Sequence, residues 1–266
     1  MVVLLVLASA FLHALWNAQL RREVNRDRAL VAAVGIAALL SAIFAVITGG
    51  TPFPTVMSLV WSGIAGILEL IYFVTLARAL DRGPLGSVYT VTRGGAMILA
   101  WPVAVALQGE GVTAGSIAGT ALVLIGVILS GGGLTLPRAA LGWSITCAIA
   151  IAGYHLAYKE ALSNGGVAPA VFAVSLGVAT LVNLVRVGPS AVRAVNPRIA
   201  LMGAVCAASF LLLLDALASG GTGVVLTTRN TSVLFAVILA AAIGDRPTRR
   251  QVVGAIFVAA GAIAMS

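Results

Sequence analysis

Apolar stretches bounded by charge, Pro or Gly follow one another along almost the whole chain: residues 2–20, 29–48, 56–77, 85–107, 113–131, 139–158, 167–185, 199–218, 221–243 and 251–265. A hydrocarbon core about 30 Å thick needs about 20 helical residues to cross it. Most of these stretches have that length. Inside a bilayer the backbone must satisfy its own N–H and C=O groups, so each stretch is predicted to be a helix. The weakest punctuation is Ala218-Ser219-Gly220-Gly221, between the eighth and ninth spans. Length decides for a break there, because one crossing needs only half of 199–243. The expected fold is an all-α integral membrane protein with ten transmembrane helices.

Composition sharpens this picture. Hydrophobic residues make up 61% of the 266 positions and charged residues 9%, against about 25% charged in an ordinary soluble chain. Ten helices of about 20 residues use roughly 200 positions and leave about six for each connection. No catalytic module fits outside the membrane, so an enzyme is not expected. The expected location is the cell membrane (plasma or inner), spanned many times.

The formal charge of +8 changes the picture through its placement. The gaps after spans 1, 3, 5, 7 and 9 hold Arg21, Arg22, Arg26, Arg28, Arg78, Arg82, Arg138, Arg186, Arg193, Arg198, Arg246, Arg249 and Arg250, whereas the other side holds Lys159 at most. Such asymmetry is a positive-inside signal, and it puts those gaps in the cytoplasm and both termini outside. It supplies no clustered polar face for phosphates, so nucleic acid is not an expected partner. Cys147 and Cys206 lie inside apolar runs and read as packing residues; no metal site and no cofactor are expected. Residues 1–20 lack a positive leader region and read as the first span.

Self-comparison shows a repeat. Gly83 to Gly86, Thr92-Arg93, Glu110, Gly119 and Gly126 are answered by Gly220 to Gly223, Thr228-Arg229, Asp245, Gly254 and Gly261. His13-x-x-Trp16-Asn17 in span 1 is answered by His155-x-x-Tyr158-Lys159 in span 6. The chain therefore divides into 1–131 and 138–266, two five-helix units. Five is odd, so the second unit enters the membrane from the opposite side, as in the inverted-topology repeats of secondary transporters.

The ten-helix, two-repeat plan, with His13-Ala-Leu-Trp16-Asn17, the run from Ala79 through Tyr89 and Arg93 to Gly94, and the Gly109-Glu110 and Gly244-Asp245 steps, resembles the EamA-type permeases of the drug/metabolite transporter superfamily. Two features depart from that family: Thr90 stands where members often have Pro, and their termini are usually drawn in the cytoplasm. The resemblance implies a secondary transporter.

Arg93 and Arg229 fall in mid-span, where an unpaired guanidinium costs from about 3 to more than 10 kcal/mol. Two at matching places suggest a central site for a carboxylate or phosphate. The alternative is neutralisation by Glu69 or Asp215. Tyr89 shares a helix face with Arg93, and Asn230 stands in a hydroxyl-rich stretch beside Arg229; both are candidate substrate contacts. So are Trp16 and Tyr158, which with Lys159 could instead anchor at the interface. His13, His155 and Glu69 are candidates for proton coupling; the histidines could equally bridge helices as neutral imidazoles. Gly94 and Gly95 fit close packing, Pro102 is expected to kink its helix, and Glu110 and Asp245 to cap spans 5 and 10.

No Gly-x-x-x-x-Gly-Lys-Ser/Thr motif is present, so the chain is not expected to hydrolyse ATP. The expected function is a secondary transporter, working as an exporter by alternating access on a small polar or anionic metabolite such as an amino acid or organic acid. An exporter of cationic compounds built on Glu69 is the alternative. The small-molecule substrate and the bilayer are its expected partners, and the chain works as a monomer or homodimer.

Overall fold

Helices form at every stretch that the apolar pattern marks. The computed structural model describes residues 1–83, 87–88, 90–130, 136–242 and 247–265. In the first half these give α1 (Val2–Arg21), α2 (Arg26–Thr48), α3 (Val56–Leu80), a π-helical segment Thr90–Gly94 running into α4 (Gly95–Gln108), and α5 (Ala114–Ser130). The second half gives α6 (Arg138–Ser163), α7 (Ala168–Val187), a single turn Ser190–Arg193, α8 (Pro197–Ser219), α9 (Thr222–Arg229), α10 (Ser232–Ala242) and α11 (Arg249–Ala264). Side-chain caps set several starts. Asn25 accepts from the Arg28 N–H at 3.2 Å, Thr55 from Ser58 at 3.1 Å and Asn196 from Ile199 at 3.0 Å. Each satisfies one of the N–H groups that a helix start leaves over. Thr248 and Gln251 make a capping box before α11.

Eight of these helices, taking the paired segments 90–108 and 222–239 as one each, are long and apolar enough to cross a membrane. Ala114–Ser130 is a shorter apolar helix, and Arg249–Ala264, at 16 residues, is also short. The molecule is a multi-pass membrane protein, and its surface agrees. Val185 is 87% exposed, Val46 81% and Leu107 78%, whereas Arg229 and Glu69 are each 1% exposed and His155 0%. A chain folded for water would reverse that order. Lipid facing outward removes the conflict.

Small residues let the helices meet. A Cβ on Gly126 would stand 2.5 Å from the Gly254 carbonyl oxygen, and one on Gly261 2.6 Å from that of Gly119. Position 119 thus faces 261 while 126 faces 254, so α5 and α11 run antiparallel. Elsewhere α3 packs on α6 and α7, α2 on α7 and α8, α1 on α8 and α10, and α4 on α6 and α9. Two of these crossings are alike in detail: a Cβ on Gly66 of α3 would stand 2.6 Å from the Ser175 carbonyl oxygen of α7, and one on Gly203 of α8 2.8 Å from that of Ala33 on α2. Ser9 and Ser209 close the α1–α8 contact by each donating to the other's carbonyl oxygen, at 2.6 and 2.9 Å.

Two helices are irregular where charge lies deepest. Arg93 sits in the π-helical Thr90–Gly94 segment, and Arg229 ends α9 before a turn at Asn230 and Thr231. α4 continues through Pro102, so the irregular turn lies about two turns before the proline expected to kink the helix. Such breaks free backbone groups and are tolerated at membrane depth where they are buried in protein or line a cavity.

Candidate functional site

His13 gathers the two mid-span arginines. It is buried on α1, and Arg93 Nη2 lies 2.9 Å from its Nε2. Arg229 Nη2 lies 3.3 Å from its Nδ1, and Trp16 Nε1 donates to the same nitrogen at 3.3 Å. Arginine and tryptophan side chains are donors only, and a neutral imidazole has one acceptor nitrogen. Three donors therefore converge on a ring that accepts at one atom. The surplus extends outward: Arg229 Nε and Nη1 and the hydroxyls of Thr227, Thr228 and Thr231 are buried without a hydrogen-bond partner. Arg229 does rest over the Phe210 ring, 4.5 Å from its centroid, a cation–π contact. Phe210 stacks in turn on Phe172, centroids 4.8 Å apart.

A buried carboxylate forms the second cluster. Tyr158 Oη donates to Glu69 Oε1 and Ser175 Oγ to Glu69 Oε2, each at 2.8 Å, and the two hydroxyls are 3.0 Å apart. His155, one turn from Tyr158, holds the Ile151 carbonyl through Nδ1 at 2.8 Å, stacks on Tyr154 and leaves Nε2 buried without a partner.

At the end opposite the basic gaps, polar contacts tie the two halves together. Gln108 donates to Glu160 at 2.9 Å and accepts from the Thr222 hydroxyl at 2.7 Å. Glu110 accepts the backbone N–H groups of Gly223 at 2.7 Å and Val224 at 2.9 Å. Its carboxylate therefore caps the N-terminus of α9, not the span that follows it, because the connection folds back across the other half. Lys159 Nζ donates to the carbonyls of Leu217 (2.6 Å) and Gly220 (2.9 Å) at the end of α8. It caps the C-terminal end of α8. Replacing Glu110 by Gln is expected to cost about 1 kcal/mol, read as a lower midpoint of thermal unfolding in detergent; an unchanged midpoint would show that the cap contributes nothing.

The structure brings Arg93, Arg229, His13 and Trp16 together as one cluster and Glu69 with Tyr158 as another. Tyr158 is fully buried, so its hydroxyl serves Glu69 and not the interface. Asn230 donates to the Leu226 carbonyl within the α9 turn at 3.1 Å. Tyr89 and Asp245 lie outside the described residues. The carboxylates proposed to neutralise the arginines are engaged or exposed: Glu69 holds the two hydroxyls and Asp215 is exposed. Among the described residues the recorded ion pair is Arg198 with Glu23, at 3.9 Å. Phe210, Phe172, Ser175 and Gln108 gave no signal in the chain, since each is an ordinary residue of a membrane helix until another helix is laid against it.

A model of the EamA-like transporter family matches residues 138–266. Among solved structures, one described as "Crystal structure of protein" shares the fold over 99% of this chain and 95% of its own, with a TM-score of 0.79 and 15% identity. That likeness is one of fold. No curated protein matches the chain. The family match puts the second half of this membrane protein among the EamA-like transporters, within the drug/metabolite transporter superfamily.

Proposed function

From an EamA-like second half as premise, we propose that the chain exports a small anionic or zwitterionic metabolite, an amino acid or organic acid, across the cell membrane by alternating access. One observation carries the reading: three donors meet at His13, which accepts at a single atom, beside an arginine with two further unpartnered nitrogens. A carboxylate would supply acceptor lone pairs to Arg229 Nε and Nη1, which have no partner, and the planar fork of a guanidinium matches it with two parallel bonds. In an interior of low dielectric those bonds gain strength.

Alternating access is supported by an exchange symmetry. Swapping each helix for its counterpart five spans away turns the α1–α8 contact into α3–α6, α3–α7 into α2–α8, and α4–α6 into α1–α10; α2–α7 and α5–α11 map onto themselves. The antiparallel course of α5 and α11 is what inverted halves require. Such halves reach their second state by trading conformations. Here both arginines engage the first-half histidine, His13. In the opposite state Arg229 would turn to its own half's counterpart, the open Nε2 of His155. The Gln108–Glu160–Thr222 and Glu110–α9 contacts are the ones that part when that end opens. The whole site lies within one chain, so a monomer suffices and a homodimer would carry two.

The cationic-drug reading has less behind it: Glu69 is a single buried carboxylate already engaged by two hydroxyl donors, against two arginines at His13. The test is a panel of amino acids and mono- and dicarboxylates in thermal shift and proteoliposome flux, with Arg93→Gln alongside. Anions are expected to stabilise and to cross, and Arg93→Gln to abolish both. Transport of organic cations alone would sink the proposal. For orientation, a C-terminal reporter that works only outside the cytoplasm is expected from the arginine asymmetry; activity only inside would reverse it.

A further inference from the structure

Glu69, Tyr158 and Ser175 close a ring of three oxygen–oxygen contacts: Glu69 Oε1 to Tyr158 Oη at 2.8 Å, Tyr158 Oη to Ser175 Oγ at 3.0 Å, and Ser175 Oγ to Glu69 Oε2 at 2.8 Å. All three side chains are buried. Each contact in such a ring is a hydrogen bond only if one proton lies between its two oxygens. Tyr158 and Ser175 bring one proton each. If Glu69 is ionised, two protons serve three contacts, and the contact between the hydroxyls stays empty once both point at the carboxylate. With a proton on Glu69 Oε1 the ring fills. The carboxyl donates to Tyr158 Oη, Tyr158 donates to Ser175 Oγ, and Ser175 donates to Glu69 Oε2. Protonation also removes an ionised carboxylate from an apolar interior, where it is costly.

The fold does not require this ring. His13 and His155 lie 142 positions apart, and the same offset carries Tyr158 to Trp16 and Ser175 to Ala33. Gly66 and Gly203, alike in their close approaches, lie 137 apart, and that offset carries Glu69 to Cys206. The matching place in the other half is thus an indole, a methyl and a thiol, all buried. One half packs there without a carboxylate; the other carries an acid and two hydroxyls together.

The ring is also joined to the arginines. Ser175 is one helical step beyond Phe172 on α7, Phe172 stacks on Phe210, and Arg229 lies over Phe210. We propose that Glu69 is the proton-binding site of the transport cycle, and that the proton held in this ring travels with the substrate anion. An ionised Glu69 and a bound anion would set two negative charges in one low-dielectric interior, where like charges oppose each other strongly. Loading the anion therefore favours the filled ring, and the two leave together. For a monoanion the step is electroneutral: a proton from water on one side binds Glu69 Oε1 and is returned to water on the other. The other titratable groups near the ring are Tyr154, whose ring lies 5.7 Å from that of Tyr158, Tyr72 and His155, which pack on Tyr154, and Cys206 and Arg229, which act on Glu69 electrostatically. A proton on His13 would set a third cation against Arg93 and Arg229, whereas Glu69 accepts one by losing charge.

The coupling rests on the anion reading above; the proton site does not, so the test has two arms. In the first, the purified protein in liposomes without substrate is titrated by infrared difference spectroscopy. A protonated-carboxyl C=O band is expected in the wild type, absent in Glu69→Gln and shifted in Ser175→Ala, which breaks one contact of the ring and leaves the acid in place. A band that survives in Glu69→Gln, or none in the wild type, overturns the site. In the second arm, an anion from the panel that the wild type carries is loaded against a pH gradient. One proton per monoanion gives about tenfold accumulation per pH unit, and Glu69→Gln is expected to lose that response. Equal accumulation by Glu69→Gln overturns the coupling. A wild type that carries no anion refutes the transport reading while the first arm still decides the proton site.

Discussion

Arg229→Gln is expected to abolish anion transport and, in the same preparation, to leave the protein at least as resistant to heat as the wild type. Arg229 is 1% exposed, and its Nε and Nη1 have no hydrogen-bond partner. A guanidinium so placed costs at least about 3 kcal/mol, partly offset by the Phe210 ring. Gln keeps much of the length and polarity and discards the charge, so the resting fold gains. The substrate loses charge-assisted hydrogen bonds worth about 3 kcal/mol, a factor of about 150 in binding. Arg229→Lys keeps the charge without the fork and should fall between. Thermal denaturation with proteoliposome flux reads both quantities. A structural arginine would show the opposite pattern, with stability lost in Gln. Wild-type flux in Arg229→Gln would remove it from the site.

The largest effect on folding is expected at the α5–α11 seam. A Cβ at Gly126 would meet the Gly254 carbonyl oxygen at 2.5 Å, Val258 Cγ2 at 2.7 Å and the Val258 nitrogen at 2.8 Å. Two of those three atoms are backbone and cannot turn aside. Gly126→Val must push the helices apart, at about 3 kcal/mol or more. That lowers the thermal midpoint by roughly 10 °C, or leaves the protein aggregated on extraction. Gly63→Ala is the control: its Cβ would meet nothing within 4 Å, and Ala is the better helix former. Equal midpoints for Gly126→Val and wild type would mean that the seam does not hold these two helices together.

Much of the site was legible in the chain because charge in mid-span stands out. Arg93 and Arg229 were found that way and His13 by its matching place with His155, and the three meet. Trp16 and Tyr158 were found by their matching places in the repeat, but they do different work. Trp16 donates to His13, while Tyr158 belongs to the Glu69 ring. Ser175 and Phe210 could not be found, since one serine and one phenylalanine among apolar neighbours carry no period and no cost until a partner helix is named. Glu110 was misplaced for a related reason. A carboxylate beside a helix start in sequence suggests its own helix, and only the folded connection shows it closing α9.

The sequence by itself determined that the chain lives in a bilayer, where most of its described helices begin and end, and that its two halves echo each other. All three follow from local rules: the length of an apolar run, the breaking power of Gly, Pro and charge, and self-comparison. The tertiary structure decided which of two histidines holds the arginines, that Glu69 faces hydroxyls and not guanidinium, and that the helices carrying Arg93 and Arg229 lose regular geometry there. Those outcomes depend on how helices rotate and cross. That is set by close approach at glycines such as Gly66, Gly126 and Gly203, between segments more than a hundred residues apart, and no local pattern encodes it.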